Sequence, residues 1–154
     1  MIIVVNTIQA LFVSAVALFN LVTNVIAFRE CKYKKNAFGL TPFLWPFGIY
    51  VWGDAVVFGF FWFFASVVSI FLNDWLLFLL IVSVFWLVRS VGETIYWFNE
   101  QFSTVNRNDP RKLPFHTIFH NDSVWFIFQI ANQCITVVTI ITTVYLFHFW
   151  LKGM

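Results

Sequence analysis

Of the chain's 154 residues, 61% are hydrophobic, 22% aromatic and only 10% charged, against about 25% charged in an ordinary soluble domain. That excludes a water-soluble globular fold, which has no interior large enough to hide so much apolar surface. A net charge of +2, carried by a few loop residues, excludes a nucleic-acid-binding face as well.

An α-helix rises 1.5 Å per residue, so about 20 apolar residues cross the roughly 30 Å hydrocarbon layer of a bilayer. Four stretches of that length predict an all-α integral membrane protein. Its four transmembrane helices, at about 2–28, 48–72, 75–98 and 124–151, form one antiparallel bundle and a single membrane domain, with loops at about 29–41 and 101–122.

The first stretch has no basic segment before it and no Ala-x-Ala site after it, so it reads as a retained span rather than a signal peptide. Along it Asn6, Gln9 or Ala10, Val13, Ala17, Asn20 and Asn24 recur at helical spacing, making one small and polar face suited to another helix. Arg29, Lys32, Lys34 and Lys35 follow as a basic loop that also holds Glu30 and Cys31.

Thr41-Pro42 reads as a helix N-cap followed by proline at the first helical position. The apolar run behind it is too long for one straight crossing, so Pro46 and Gly48 divide it. Residues 42–47 then become an interfacial approach, with Trp45, Tyr50 and Trp52 in the headgroup belt, and the second span starts at Gly48. Within that span Ala55, Gly59, Ser66 and Ser69 form a small-residue stripe, with Asp54 beside it.

Asn73-Asp74 is a tight turn in which Asp74 caps the third span, beginning at Trp75. The loop after this span centres on VNRNDPRK, with Arg107, Arg111 and Lys112, and Asn121, Asp122 or Ser123 caps the fourth span. Along the fourth span Gln129, Asn132 or Gln133, Thr136, Thr139 or Ile140, and Thr143 form a polar stripe. Basic residues concentrate in the first and third loops, and only Lys152 lies near the C-terminus. The positive-inside rule therefore puts those loops in the cytoplasm of an inner membrane and both termini outside.

The strongest candidate chemistry lies in the third span. Arg89 follows about fourteen apolar residues, or roughly 21 Å of helix, so it sits about 9 Å short of the cytoplasmic side of the core. Glu93 is one turn on, at the i, i+4 spacing of an intrahelical ion pair, and folding the hairpin at Asn73-Asp74 brings Asp54 level with it. A cluster of Asp54, Arg89 and Glu93 locks helices together in the plainer reading, faces a water-filled proton or ion path in the other, or touches a partner subunit.

His116 and His120 stand at i, i+4 in FHTIFHND, a spacing that aims two imidazoles at one metal, with Asp122 or Glu100 as further ligands. Without an acid beside the first histidine, the spacing more often marks an amphipathic segment at the membrane surface. His148 has no histidine at equal depth on another span, which argues against haem, and no cofactor is expected. A Gly-x-Ser-x-Gly elbow and glycine-rich phosphate loops are absent, and neither cysteine has a histidine and an acid beside it in sequence. Cys31 and Cys134 lie in different environments and are not expected to bond, and Cys31 reads as a plain thiol rather than an acylated one.

Eight Trp and 22 Phe are far more ring than four helices can bury among themselves. These features predict a non-enzymatic membrane subunit whose partners are the lipid bilayer, copies of itself or other membrane proteins. A small channel or transporter using Asp54, Arg89, Glu93 and the amides Gln129, Asn132 and Gln133 is the alternative, and a metal-dependent enzyme at His116/His120 comes third.

Overall fold

The computed structural model describes residues 5–105 and 107–153. It is all-helical, with 78% of residues in helix and no strand among the described residues. Four helices, α1 (Thr7–Tyr33), α2 (Trp52–Phe71), α3 (Trp75–Phe102) and α4 (Ser123–Gly153), are each long and apolar enough to cross a membrane. The chain divides into two compact units, Met1–Ile81 with His148–Met154, and Val82–Phe147.

The first unit is built on α1 packed against α2. Asn6 starts α1 with a capping box: its side chain accepts from the Gln9 N–H, and the Gln9 side chain accepts from the Asn6 N–H, both at 2.9 Å. The start expected from the sequence, Ile2, falls with residues 2–4 outside the described residues. At its other end α1 continues past Phe28 to Tyr33, because charge ends a hydrophobic run without ending the backbone ladder. Lys35, at φ 52°, finally turns the chain out of helix.

The buried face of α1 is Val13, Val16, Ala17, Asn20, Thr23, Asn24 and Ala27, and that of α2 is Ala55, Gly59, Trp62, Ala65, Ser66 and Ser69. Gly59 makes this contact possible. A Cβ there would stand 2.9 Å from the Asn24 Cβ and 3.1 Å from the Asn20 carbonyl oxygen, so the helices approach to a distance only glycine permits. Asn24 donates across the contact to the Val56 carbonyl at 2.6 Å, and Asn20 donates to Val16 on its own helix at 3.0 Å.

Between α1 and α2 the chain makes a compact loop. Residues Pro42–Phe47 form a 3-10 helix that ends at Gly48 in the left-handed region, φ 66°. Residues 49–51 then run on into α2, which therefore starts at Trp52, four residues later than expected from the sequence. Thr41 does occupy the N-cap position of the 3-10 helix, yet its hydroxyl makes no cap and donates instead to the Ile49 carbonyl at 3.2 Å. Trp62 of α2 donates its indole N–H to the Phe47 carbonyl at 2.9 Å, fastening the loop to the helix.

Asn73 turns α2 into α3 with φ 51°, and Asp74 caps α3 by accepting from the Leu77 N–H at 2.9 Å. The same turn gathers both chain ends of this unit. The Val5 N–H donates to Asn73 Oδ1 at 3.2 Å, and the Trp150 indole donates to Asp74 Oδ2 at 2.8 Å.

Candidate functional site

The second unit carries most of the polar side chains singled out from the sequence. Its helical parts, residues 82–102 of α3 and 123–147 of α4, meet along a seam with a seven-residue repeat. Ser83 and Thr143 share a hydroxyl hydrogen bond at 2.7 Å, Thr136 donates to Ser90 at 2.9 Å, and Trp97 stacks on Phe128 at 4.9 Å between ring centroids. Gln101 closes the series by donating to Gln129 at 2.6 Å. Positions 83, 90 and 97 climb α3 seven residues apart while their partners Thr143, Thr136 and Phe128 descend α4 at steps of seven and eight. Seven residues are two helical turns, so one face of each helix is reused at every step.

Of the stripe read on α4, Gln129, Thr136 and Thr143 bond across the seam. Asn132 is 6% exposed and donates to the Phe128 carbonyl at 2.8 Å. Gln133 points elsewhere: it is exposed, and its side chain makes no hydrogen bond to a described residue. Asn20 and Asn24 belong to the α1–α2 contact of the first unit. The serines opposite the stripe, Ser83 and Ser90, were missed. Their signal was the shared seven-residue spacing with Trp97, hidden within an apolar run.

On a neighbouring face of α3, Arg89 and Glu93 form an ion pair at 3.0 Å, with side chains 18% and 12% exposed. Glu93 uses its other oxygen to accept from the Trp97 indole N–H at 3.1 Å. Arg89, Glu93 and Trp97 thus form a chain at i, i+4, i+8, and the ring that ends it is the one stacked on Phe128. Asp54 belongs to the first unit, in the first turn of α2, where its carboxylate accepts from the Tyr50 N–H at 3.1 Å.

Beyond Trp97 the helix presents Glu100, only 4% exposed. Its carboxylate takes the backbone N–H groups of Arg107 and Asn108, at 2.5 and 2.9 Å, and so ties the following loop to the end of α3. Asn108 extends the tie, accepting through its carbonyl from the Trp125 indole at 3.1 Å and donating through its amide to the Tyr96 hydroxyl. The sequence marks Glu100 as a charge late in the third apolar run and as a further metal ligand beside His116 and His120, but nothing local foretells which backbone a carboxylate will hold.

Past this tie the loop borders an open cavity of about 870 Å³, lined among others by Gln101, Asp109, Arg111, His116, His120 and Trp125. The imidazoles of His116 and His120 lie edge to face with centroids 6.0 Å apart, and Asp122 lines the same cavity. Glu100 Oε1 is engaged by the backbone, and among the described residues no group of three or more His, Cys, Asp or Glu is arranged to hold a metal ion. Asp109 accepts from the Arg111 backbone and guanidinium at 3.0 to 3.3 Å. That pairing holds the Asp109 carboxyl below its ordinary range and raises Arg111.

What this arrangement offers chemically is polar fastening: hydroxyl and amide pairs along a seam, one ion pair on a helix, and a carboxylate holding a loop. No family model, no curated protein and no solved structure matches the chain.

Proposed function

We propose that this chain is a non-catalytic membrane subunit that packs, through its helices, with copies of itself or with a larger membrane complex. In this reading the four helices form an antiparallel bundle in an inner membrane, with both termini outside. The observation that carries it is the surface of α4. Its most apolar eighteen-residue stretch contains no buried residue, and large side chains such as Val137, Ile141 and Val144 are all more than half exposed. Lipid covers such a surface adequately, but Gln133 stands exposed on the same helix with no hydrogen bond from its side chain to a described residue. An amide in hydrocarbon favours another helix, where it gains a hydrogen bond of about 1–2 kcal/mol in model peptides.

Cys134 adjoins Gln133 and is exposed, so the native chain carries its own probe. In a Cys31→Ser background, a thiol-specific cross-linker applied to membranes is expected to give a dimer or a larger adduct that disappears in Cys134→Ser. Monomer alone, at cross-linker concentrations that fully label Cys134, would overturn the reading.

A second reading has its own observation. A partly buried ion pair, Arg89–Glu93, lies on the helix that also bears the hydroxyl and amide seam. Ionisable groups at such depth are a common mark of ion or proton paths. Here the protein is a small oligomeric channel or ion-coupled transporter, with Arg89, Glu93, Gln129 and Asn132 along the path and Asp54 joining them as the sequence expectation has it. Proteoliposome flux that is lost in Arg89→Gln while the fold persists would favour it.

A further inference from the structure

We infer that the end of α1 is a binding surface for anionic phospholipid, recognised through Arg29, Lys32 and Lys35. Four cations lie within seven residues here, and Glu30 is the one carboxylate among them. Glu30 is occupied by Lys34 in an i, i+4 pair at 2.5 Å. Arg29, Lys32 and Lys35 are exposed and have no carboxylate partner among the described residues. The surface therefore keeps three uncompensated positive charges.

Their depth suits a headgroup. Residues 7–28 of α1 make about 33 Å of helix, enough to cross the roughly 30 Å core, so Arg29 emerges where phosphates lie. Lys32 is held over two rings, 5.5 Å from the centroid of Phe28 and 5.3 Å from that of Tyr33, which keeps its ammonium close to the helix.

The surroundings select lipid over a free anion. Tyr33, Phe38, Leu40 and Phe43 are 72%, 87%, 60% and 62% exposed. Apolar side chains so bare gain from acyl chains and glycerol backbones, and a dissolved phosphate offers them nothing. Aromatic and aliphatic groups beside unpaired cations match the two parts of an anionic lipid, and the charge complementarity is lost on a zwitterionic one.

The test uses the full chain reconstituted in mixed phosphatidylglycerol and phosphatidylcholine vesicles, with spin-labelled lipids reporting which species contacts the protein. The expected result is a preference for phosphatidylglycerol that weakens as salt rises and drops by about fivefold for each cation removed in Arg29→Gln, Lys32→Gln and Lys35→Gln. The double variant Glu30→Gln/Lys34→Gln removes a neutral pair and is expected to leave the preference unchanged. Lys112→Gln removes the same single charge from another loop and is expected to do the same. An undiminished preference in folded Lys32→Gln and Lys35→Gln proteins, or an equal loss in Lys112→Gln, would overturn the assignment. Displacement of phosphatidylglycerol by inorganic phosphate at constant ionic strength would overturn it too, by revealing a site for the free anion.

Discussion

The Thr136 hydroxyl of α4 donates to Ser90 Oγ of α3 at 2.9 Å, and the Ser90 hydroxyl in turn donates to the Leu87 carbonyl at 3.1 Å. Two hydroxyls in an apolar setting thereby find protein partners. The bond lies two turns from Ser83–Thr143, and two turns along α4 and three along α3 from the Gln101–Gln129 end of the same seam, so it reports on register as well as attraction. Thr136→Val keeps the shape and removes the donor. Interhelical hydrogen bonds in membranes average about 0.6 kcal/mol and reach about 1.7. Unfolding in mixed micelles should therefore show a loss within that range, and a Ser90→Ala/Thr136→Val cycle should give a coupling of similar size.

Glycine has opposite meanings at two places in this chain. Gly59 lies against Asn20 and Asn24, with no room for a Cβ, whereas a Cβ at Gly92 of α3 would meet nothing within 4 Å. Gly59→Ala should cost about 1–3 kcal/mol through forced separation of α1 and α2. Gly92→Ala should be neutral or gain up to about 1 kcal/mol from helix propensity. Equal effects in the same unfolding assay would contradict the close approach.

Glu100 is expected to control the loop after α3. Replacing it with glutamine removes the charge from two backbone hydrogen bonds, and charged bonds are about 1 kcal/mol stronger than neutral ones. Amide exchange at Arg107 and Asn108 should then accelerate by about fivefold or more, with little change at Ser90 or Asn132 far along the helices.

Asp109 supplies a pH dependence outside the membrane. Its carboxyl lies below the ordinary value of 3.8, chiefly through the Arg111 side chain and then the Arg111 N–H. A lowered folded-state value means the ionised pair favours the folded loop above the ordinary value, and this contribution fades as pH falls through the lowered one. The Arg111 amide resonance should titrate below the ordinary aspartate range, and Asp109→Asn should abolish that titration.

Arg89→Gln separates the structural and transport readings. If the ion pair fastens the helix, the variant should lower folded yield and detergent stability, since Glu93, its side chain 12% exposed, loses the cation that stands 3.0 Å from it. Unchanged stability together with lost ion flux would shift the assignment to transport.

The four helices were legible because length and apolarity alone carry that signal in a membrane. Boundaries were less so. Arg29 marked the end of an apolar run while the helix continued to Tyr33, and Gly48 capped a 3-10 helix instead of opening α2. The packing faces of α1 and α2 were readable from Asn20, Asn24 and Gly59, because small and polar residues at helical spacing have few other uses in lipid, but that the two faces meet each other was not. The seam was half legible: threonines and amides stood out on α4, but Ser83 and Ser90 alone in an apolar run did not. Glu100 escaped because its partners are backbone groups seven and eight residues away, and backbone leaves no trace in residue type.

In the proposed function the chain is one part of a larger helical assembly. The most direct measurement is the mass of the full-length protein extracted with its native lipids into nanodiscs and weighed by native mass spectrometry. The expected particle holds more than one copy of the chain, or the chain with another membrane protein. A uniform population holding one copy and no other protein would contradict the account.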